Sequence, residues 1–169
     1  MPSSFPFYKV NGDGAIFKDQ KEAGVEVVIR DHVGNFIAGL SKKFQCPLGA
    51  IEVEAKAFES CLEFAKNMDI QDFVLEGDSL NIVHALCGNS HATSMITTLI
   101  YWVQVASYEF QNVLFSHVRR NGNMPAHQCT WPNGLHAGDV ISLVETEITL
   151  KTSYSDTMTN FVKSNFSLT

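Results

Sequence analysis

The stretch "IEVEAKAFESCLEFAK", residues 51–66, constrains this chain more than any other segment, because as a helix it has two incompatible sides. At about 100° per residue, Glu52, Lys56, Glu59, Glu63 and Lys66 share an arc of under about a quarter of the circumference, a solvated face. Ile51, Ala55, Phe58, Cys61, Leu62 and Ala65 form the apolar stripe that a surface helix presses onto a core. Glu54 projects from the middle of that stripe and therefore points inward. A carboxylate taken out of water without a partner is strongly unfavourable. Any fold that uses this helix has to bring something to meet Glu54.

With 169 residues, 45% of them hydrophobic and 18% charged, the chain can fill one core and is short for two. No apolar run approaches the roughly 20 residues of a membrane span, and "MPSSFPFYKV" lacks the basic start and apolar middle of a secretory signal. An intracellular chain is expected, with nucleus and cytoplasm not distinguished. The cysteines at 46, 61, 87 and 129 show no C-x-x-C pairing and are read as free, buried thiols. A net charge of −6 argues against coating nucleic acid by bulk attraction, though not against a local site.

No repeat or low-complexity tract interrupts the chain. "FYKVNGDGA" reads as a short strand running into a Gly-rich bend around Asp13, and "AGVEVVIRDHVGNFIAGLSKKF" as a hairpin turning at "DHVGN". The amphipathic helix follows, entered through Pro47 and Gly49. "DFVLEGD" is a strand that stops at Gly77 and Asp78, "SLNIVHALCG" a short helix ended by Gly88, and "MITTLIYWVQVASYEF" a longer helix. "NVLFSHVRR" alternates as a strand, and "NMPAHQCTW" starts a last helix that Pro132 and Gly134 stop. Strands, helix, strand, helices, strand and helix describe an α/β domain with a mixed sheet and crossover connections.

On that framework Asp13 closes the first strand and Asp78 the fourth. If those strands are parallel neighbours, both acids lie at one edge of the sheet, where open α/β sheets present their sites, and Glu54 comes from the connecting helix. Like charges gathered there repel, and a divalent cation resolves the conflict. Oxygen-only ligands suit magnesium or manganese rather than zinc. Each acid also has a plainer role open to it. Asp13 in "NGDGA" suits a tight turn, Asp78 or Ser79 suits a helix N-cap, and the helix dipole favours an acid at Glu54 without explaining its inward direction. His84 and Cys87 are read as packing residues; His32, His91 and His136 fall in polar loops and receive no role.

Five segments, "KVNGDGA", "AGVEVVIRDHVGNFI", "EVEAKAFESCLEFA", "FVLEGDSLNIVHAL" and "FSHVRRNGNMPAH", resemble in order and spacing the plant ribonuclease H-like domains related to the ribonuclease H part of non-LTR reverse transcriptases. The likeness covers roughly residues 8 to 128. It implies a five-stranded mixed sheet of order 3-2-1-4-5, three antiparallel then two parallel strands, flanked by helices. It implies cleavage of the RNA strand of RNA–DNA hybrids with two magnesium ions, manganese being the alternative, held by Asp13, Glu54 and Asp78. In two-metal hydrolysis, cations about 3.5–4 Å apart activate water and stabilise the leaving oxygen. Glu54 could also reach the 2′-hydroxyl that separates RNA from DNA.

The resemblance assigns His117 to the family's proton-carrying histidine, with a plain strand-end residue as the competing reading. It places Asn123 in the N-x-x-A-D/H pattern and His127 at the fourth metal position, where many type 1 ribonucleases H have aspartate. Neutral imidazole adds no negative charge and is softer than magnesium prefers, which implies a weaker metal site. Glu26 stands where the family's second strand usually has a small residue, and the loop "NSHATS" has no lysine or arginine for gripping a hybrid. Lys42, Lys43, Arg119 and Arg120 are the cations left to meet phosphate. Two functions stay open: a hybrid-cutting ribonuclease, or a weak or silent nucleic-acid-binding domain derived from a retroelement. The ribonuclease H-like domain is taken as 1–132. Residues 133–169 form a tail of open structure in which "ISLVETEITLK" could be a strand.

Overall fold

The first 44 residues, rich in β-branched side chains in their second strand, supply three antiparallel strands, β1 (Tyr8–Phe17), β2 (Glu22–Arg30) and β3 (Phe36–Phe44). The computed structural model describes residues 7–19, 21–92 and 94–119, and the backbone of 140–144 and 147–149. The β2–β3 turn is set by Asp31, whose Oδ1 accepts from the backbone N–H of Val33 at 2.9 Å and of Asn35 at 2.8 Å.

Helix α1 (Ala50–Asn67) begins where Glu52 reaches back to accept the Gly49 N–H at 2.6 Å. It ends at Asp69, left-handed at φ 57°, a conformation that a short polar side chain tolerates. Strand β4 (Asp72–Gly77), α2 (Leu80–Leu86), α3 (Thr97–Ser107) and β5 (Asn112–His117) follow in the order read from the sequence, and the last helix expected from "NMPAHQCTW" lies outside the described residues. Gly88, at φ +74°, ends α2 as expected.

Strands β1 and β2 pair antiparallel, as do β2 and β3, while β4 lies parallel to both β1 and β5. This gives the anticipated order 3-2-1-4-5. Two further strands, β6 (Val140–Val144) and β7 (Glu147–Thr149), extend the sheet beyond β3, both antiparallel. They come from the stretch 133–169 that the sequence leaves open.

One face of the sheet carries α1 to α3. Phe58, Phe64, Phe73, Leu75 and Ile82 are fully buried between them. The apolar side of α1 is wider than its stripe suggests, since Val53, Ala57, Ser60 and Phe64 are buried too, while only Glu63 and Lys66 of the polar face are fully exposed.

The structure corrects the bend at Asp13. Strand β1 runs straight through "NGDGA", and Asp13 pairs with Glu26 inside the ladder. The glycines serve close approach. A Cβ on Gly12 would stand 2.6 Å from Cys61 Sγ, and one on Gly14 would stand 2.9 Å from the Val53 backbone carbonyl. The cysteines are also corrected. Cys61 is buried, and burial pushes its thiol pKa up, but Cys46 and Cys87 are exposed, and so is His84. Cys87 is the last, C-capping position of α2, and His84 lies on its outer side, which explains why neither packs. Cys129 and His136 lie outside the described residues. No helix among the described residues is long and apolar enough to cross a membrane.

Because the obstacle at Gly14 is backbone, a methyl there cannot be absorbed by rotating a side chain. Gly14→Ala is expected to cost about 1–3 kcal/mol, read as a lower urea midpoint at unchanged slope.

Candidate metal centre

The β1–β4 ladder ends at the pair Asn11 and Glu76, so β1 continues past it on the β2 side alone. Asp13 lies two residues beyond Asn11 and Asp78 two beyond Glu76, at the same edge. Gly12 and Gly14 face α1, so by strand alternation Asp13 faces the other side of the sheet. Glu54 approaches from the α1 side, and it can meet Asp13 because no β4 backbone lies between them there.

One carboxylate oxygen from each of Asp13, Glu54 and Asp78 lies within 4.8 Å of the other two. Asp13 is only 8% exposed, Glu54 and Asp78 are half-buried, and Glu54 Oε2 is shielded from solvent. Two carboxylates at such a separation repel by roughly 3 kcal/mol at an effective dielectric of about 20. The all-oxygen donor set fits a hard divalent cation such as magnesium or manganese, and the three residues could hold it without rearrangement of the backbone. Asp78 does not cap α2. The N-cap is Ser79, without a side-chain cap hydrogen bond, so the capping role falls to Ser79 by position and leaves Asp78 without it.

His117 is the last residue of β5 and pairs with Gly77. It is exposed, and its Nε2 lies 3.2 Å from the Asp78 carbonyl oxygen. A carbonyl only accepts, so this contact as a hydrogen bond requires the proton on Nε2 and leaves Nδ1 of the neutral ring able to take one. Arg119 is exposed just beyond that strand. Arg120, Asn123 and His127 lie outside the described residues. Lys42 pairs with Glu63 at 3.4 Å and Lys43 with Glu22 at 3.3 Å, so both already answer surface acids.

A polar network beneath the acids escapes a reading by motif. Buried Asn11 donates through Nδ2 to Glu76 Oε2 at 2.9 Å and accepts from Arg30 Nη2 at 2.7 Å, with Arg30 and Glu76 3.7 Å apart. It joins β1, β2 and β4 one residue pair before the metal-facing acids. The signal was present in the sequence: Asn11 and Glu76 interrupt apolar runs and precede Asp13 and Asp78 by the same two positions. Register also gives Glu26 a place. As the direct cross-strand partner of Asp13 it shares that face, half-buried, and adds a fourth carboxylate beside the cluster.

A sequence profile of reverse transcriptase-like proteins matches residues 11–130, a span that includes all three acids. The chain belongs to the reverse transcriptase-like family. No curated protein matches this family member significantly. Among solved structures it is similar to ribonuclease H1 of the halophilic archaeon Halobacterium salinarum, at 22% identity and a TM-score of 0.61 over 71% of this chain and 91% of that one. It is similar to LC11-RNase H1, isolated from compost by a metagenomic approach and solved with an RNA/DNA hybrid, at 21% identity and TM-score 0.64 over 71% and 91% of the two chains. The N-terminal ribonuclease H domain of a Mycobacterium tuberculosis protein gives 16% identity and TM-score 0.65 over 72% and 88%. At these identities the likeness establishes a ribonuclease H-like fold for this reverse transcriptase-like chain.

Two substitutions test the electrostatics. Asn11→Ala strands Glu76 and Arg30 and is expected to cost about 1–3 kcal/mol, seen in urea unfolding, together with weaker magnesium binding by calorimetry. Glu26→Gln removes a like charge opposite Asp13 and is expected to stabilise the metal-free protein by about 0.2–1 kcal/mol. The same change should lower the thermal shift that magnesium produces.

Proposed function

We propose that this chain is a divalent-metal-dependent endonuclease that hydrolyses the RNA strand of RNA–DNA hybrids. The observation that carries this reading is the meeting of Asp13, Glu54 and Asp78 within 4.8 Å at the edge of a ribonuclease H-like sheet. The order of the five quoted segments supports placing it with the plant domains of this kind.

Asp13, together with Glu54 and Asp78, would hold two magnesium or manganese ions. His127 would stand at the fourth position. The ion pair supplies activation of the attacking water and stabilisation of the leaving 3′ oxygen. Glu54, brought from the helix side, would also contact the 2′-hydroxyl and so favour RNA. His117, with Nε2 held by the Asp78 carbonyl, keeps Nδ1 ready to accept and release a proton at the cluster's margin. Asn123, Arg119 and Arg120 would contact the substrate backbone.

A second reading has its own support. Glu26 sets another negative charge on the face where phosphate would lie, and Lys42 and Lys43 are engaged by glutamates. Both features favour a weak or silent nucleic-acid-binding domain derived from a retroelement.

Incubation with an end-labelled RNA–DNA hybrid in magnesium and in manganese separates the two. The endonuclease reading expects RNA-strand products with the wild type and a loss of at least about 100-fold with Asp13→Asn, a ligand change being at least as severe as loss of an outer-shell partner. Hybrid binding without cleavage in either metal would instead establish the silent domain.

A further inference from the structure

The three acids of the cluster are carried by backbone of unequal firmness. Asp13 stands inside the β1–β2 ladder and Glu54 inside α1. Asp78 lies in the two-residue joint, Asp78–Ser79, between the end of β4 at Gly77 and the start of α2 at Leu80. The buried Arg30–Asn11–Glu76 network ties β4 at Glu76, two residues short of it. Backbone outside both ladder and helix yields first when it is pushed, so repulsion within the cluster bears most on Asp78.

Support for that joint comes from β5. Pairing of β1 with β4 stops at Asn11 and Glu76, so Gly77 is paired on the β5 side only, with His117. There the Val118 N–H donates to the Gly77 carbonyl at 3.0 Å. The His117 ring takes the next carbonyl along, that of Asp78, with Nε2 3.2 Å away. A side chain thus continues for one more bond what the backbone ladder begins. On the α1 side, buried Phe58 closes on the same strand end, where a Cβ on Gly77 would stand 2.5 Å from its ring. Phe58 lies one turn beyond Glu54 on that helix. The backbone that carries Asp78 is therefore seated on α1 and tied to β5.

We propose that His117 is a positioning residue for the metal centre: by donating from Nε2 to the Asp78 carbonyl, it holds the Asp78 carboxylate beside Asp13 and Glu54 against their mutual repulsion. The inference rests on the metal-dependent reading above in taking Asp78 as a ligand. It gives the ring a task separate from carrying a proton, because the two tasks use different nitrogens. Positioning needs a donor at Nε2, and proton carriage needs an acceptor at Nδ1. Partners behind a metal's own ligands orient those ligands in the same way.

The test measures manganese binding to the full chain, without substrate, from the loss of the free-ion electron paramagnetic resonance signal. Glutamine presents its amide nitrogen at about the reach of Nε2 and asparagine at that of Nδ1, and both are neutral, so comparing them isolates the donor from the charge of the ring. His117→Gln should keep the wild-type affinity. His117→Asn and His117→Ala should each bind roughly three- to tenfold more weakly, the value of one hydrogen bond, with native circular dichroism throughout. Equal affinity in every variant, or an equal loss with Gln and with Asn, would overturn the positioning role. Asp13→Asn, run beside them, tells the two readings apart. Binding that Asp13→Asn abolishes but that no change at His117 affects would overturn positioning alone. A wild type that binds no manganese, or that binds it as well with Asp13→Asn, would overturn the metal-centre reading and positioning with it.

Discussion

The structure rests on one close approach, that of helix α1 to strand β1. Two glycines on the helix-facing side of β1 leave no side chain between the strand and Val53, Ala57 and Cys61. With no Cβ in the way, the helix lies against the sheet at a distance set by backbone and small atoms. That distance places Glu54, next to Val53, within reach of a carboxylate on the far side of the same strand. The acidic cluster is thus a consequence of packing before it is a matter of ligands.

What the packing assembles, electrostatics would drive apart. Asp13, Glu54 and Asp78 crowd together and Glu26 opposes Asp13 across the β1–β2 ladder. The same face carries a counterweight. Arg30, Asn11 and Glu76 tie three strands together just below the acids, in a largely buried network in which Asn11 bonds both charged partners. Such a network fixes the strand ends that bear Asp13 and Asp78, so repulsion is met by rigid backbone until a cation supplies the missing charge.

Much of this was legible from residue order. The inward aim of Glu54 followed from helical periodicity, and the ends of α2 and of the β2–β3 hairpin followed from Gly88 and from "DHVGN". Asp13 was harder. "NGDGA" has the composition of a turn, and only the neighbouring helix shows that its glycines are there for clearance. Cys46, Cys87 and His84 were misjudged for a related reason, since residue type gives an average tendency to bury and position on the element decides the case. The strands β6 and β7 were only half visible, because weak alternation in "ISLVETEITLK" does not say which edge will receive it.

By itself the sequence determined the succession of elements from β1 to β5, the inward aim of Glu54, and the chemical kind of ligand that three carboxylates would accept. These are local properties, fixed by periodicity and by the cost of burying charge. Tertiary structure alone decided that the β1–β4 ladder stops at Asn11 and Glu76, that Glu26 faces Asp13, and that Trp102 is left exposed. Those outcomes depend on register and on the packing of elements distant in the chain, and a residue carries no record of its neighbour across a sheet until the sheet has formed.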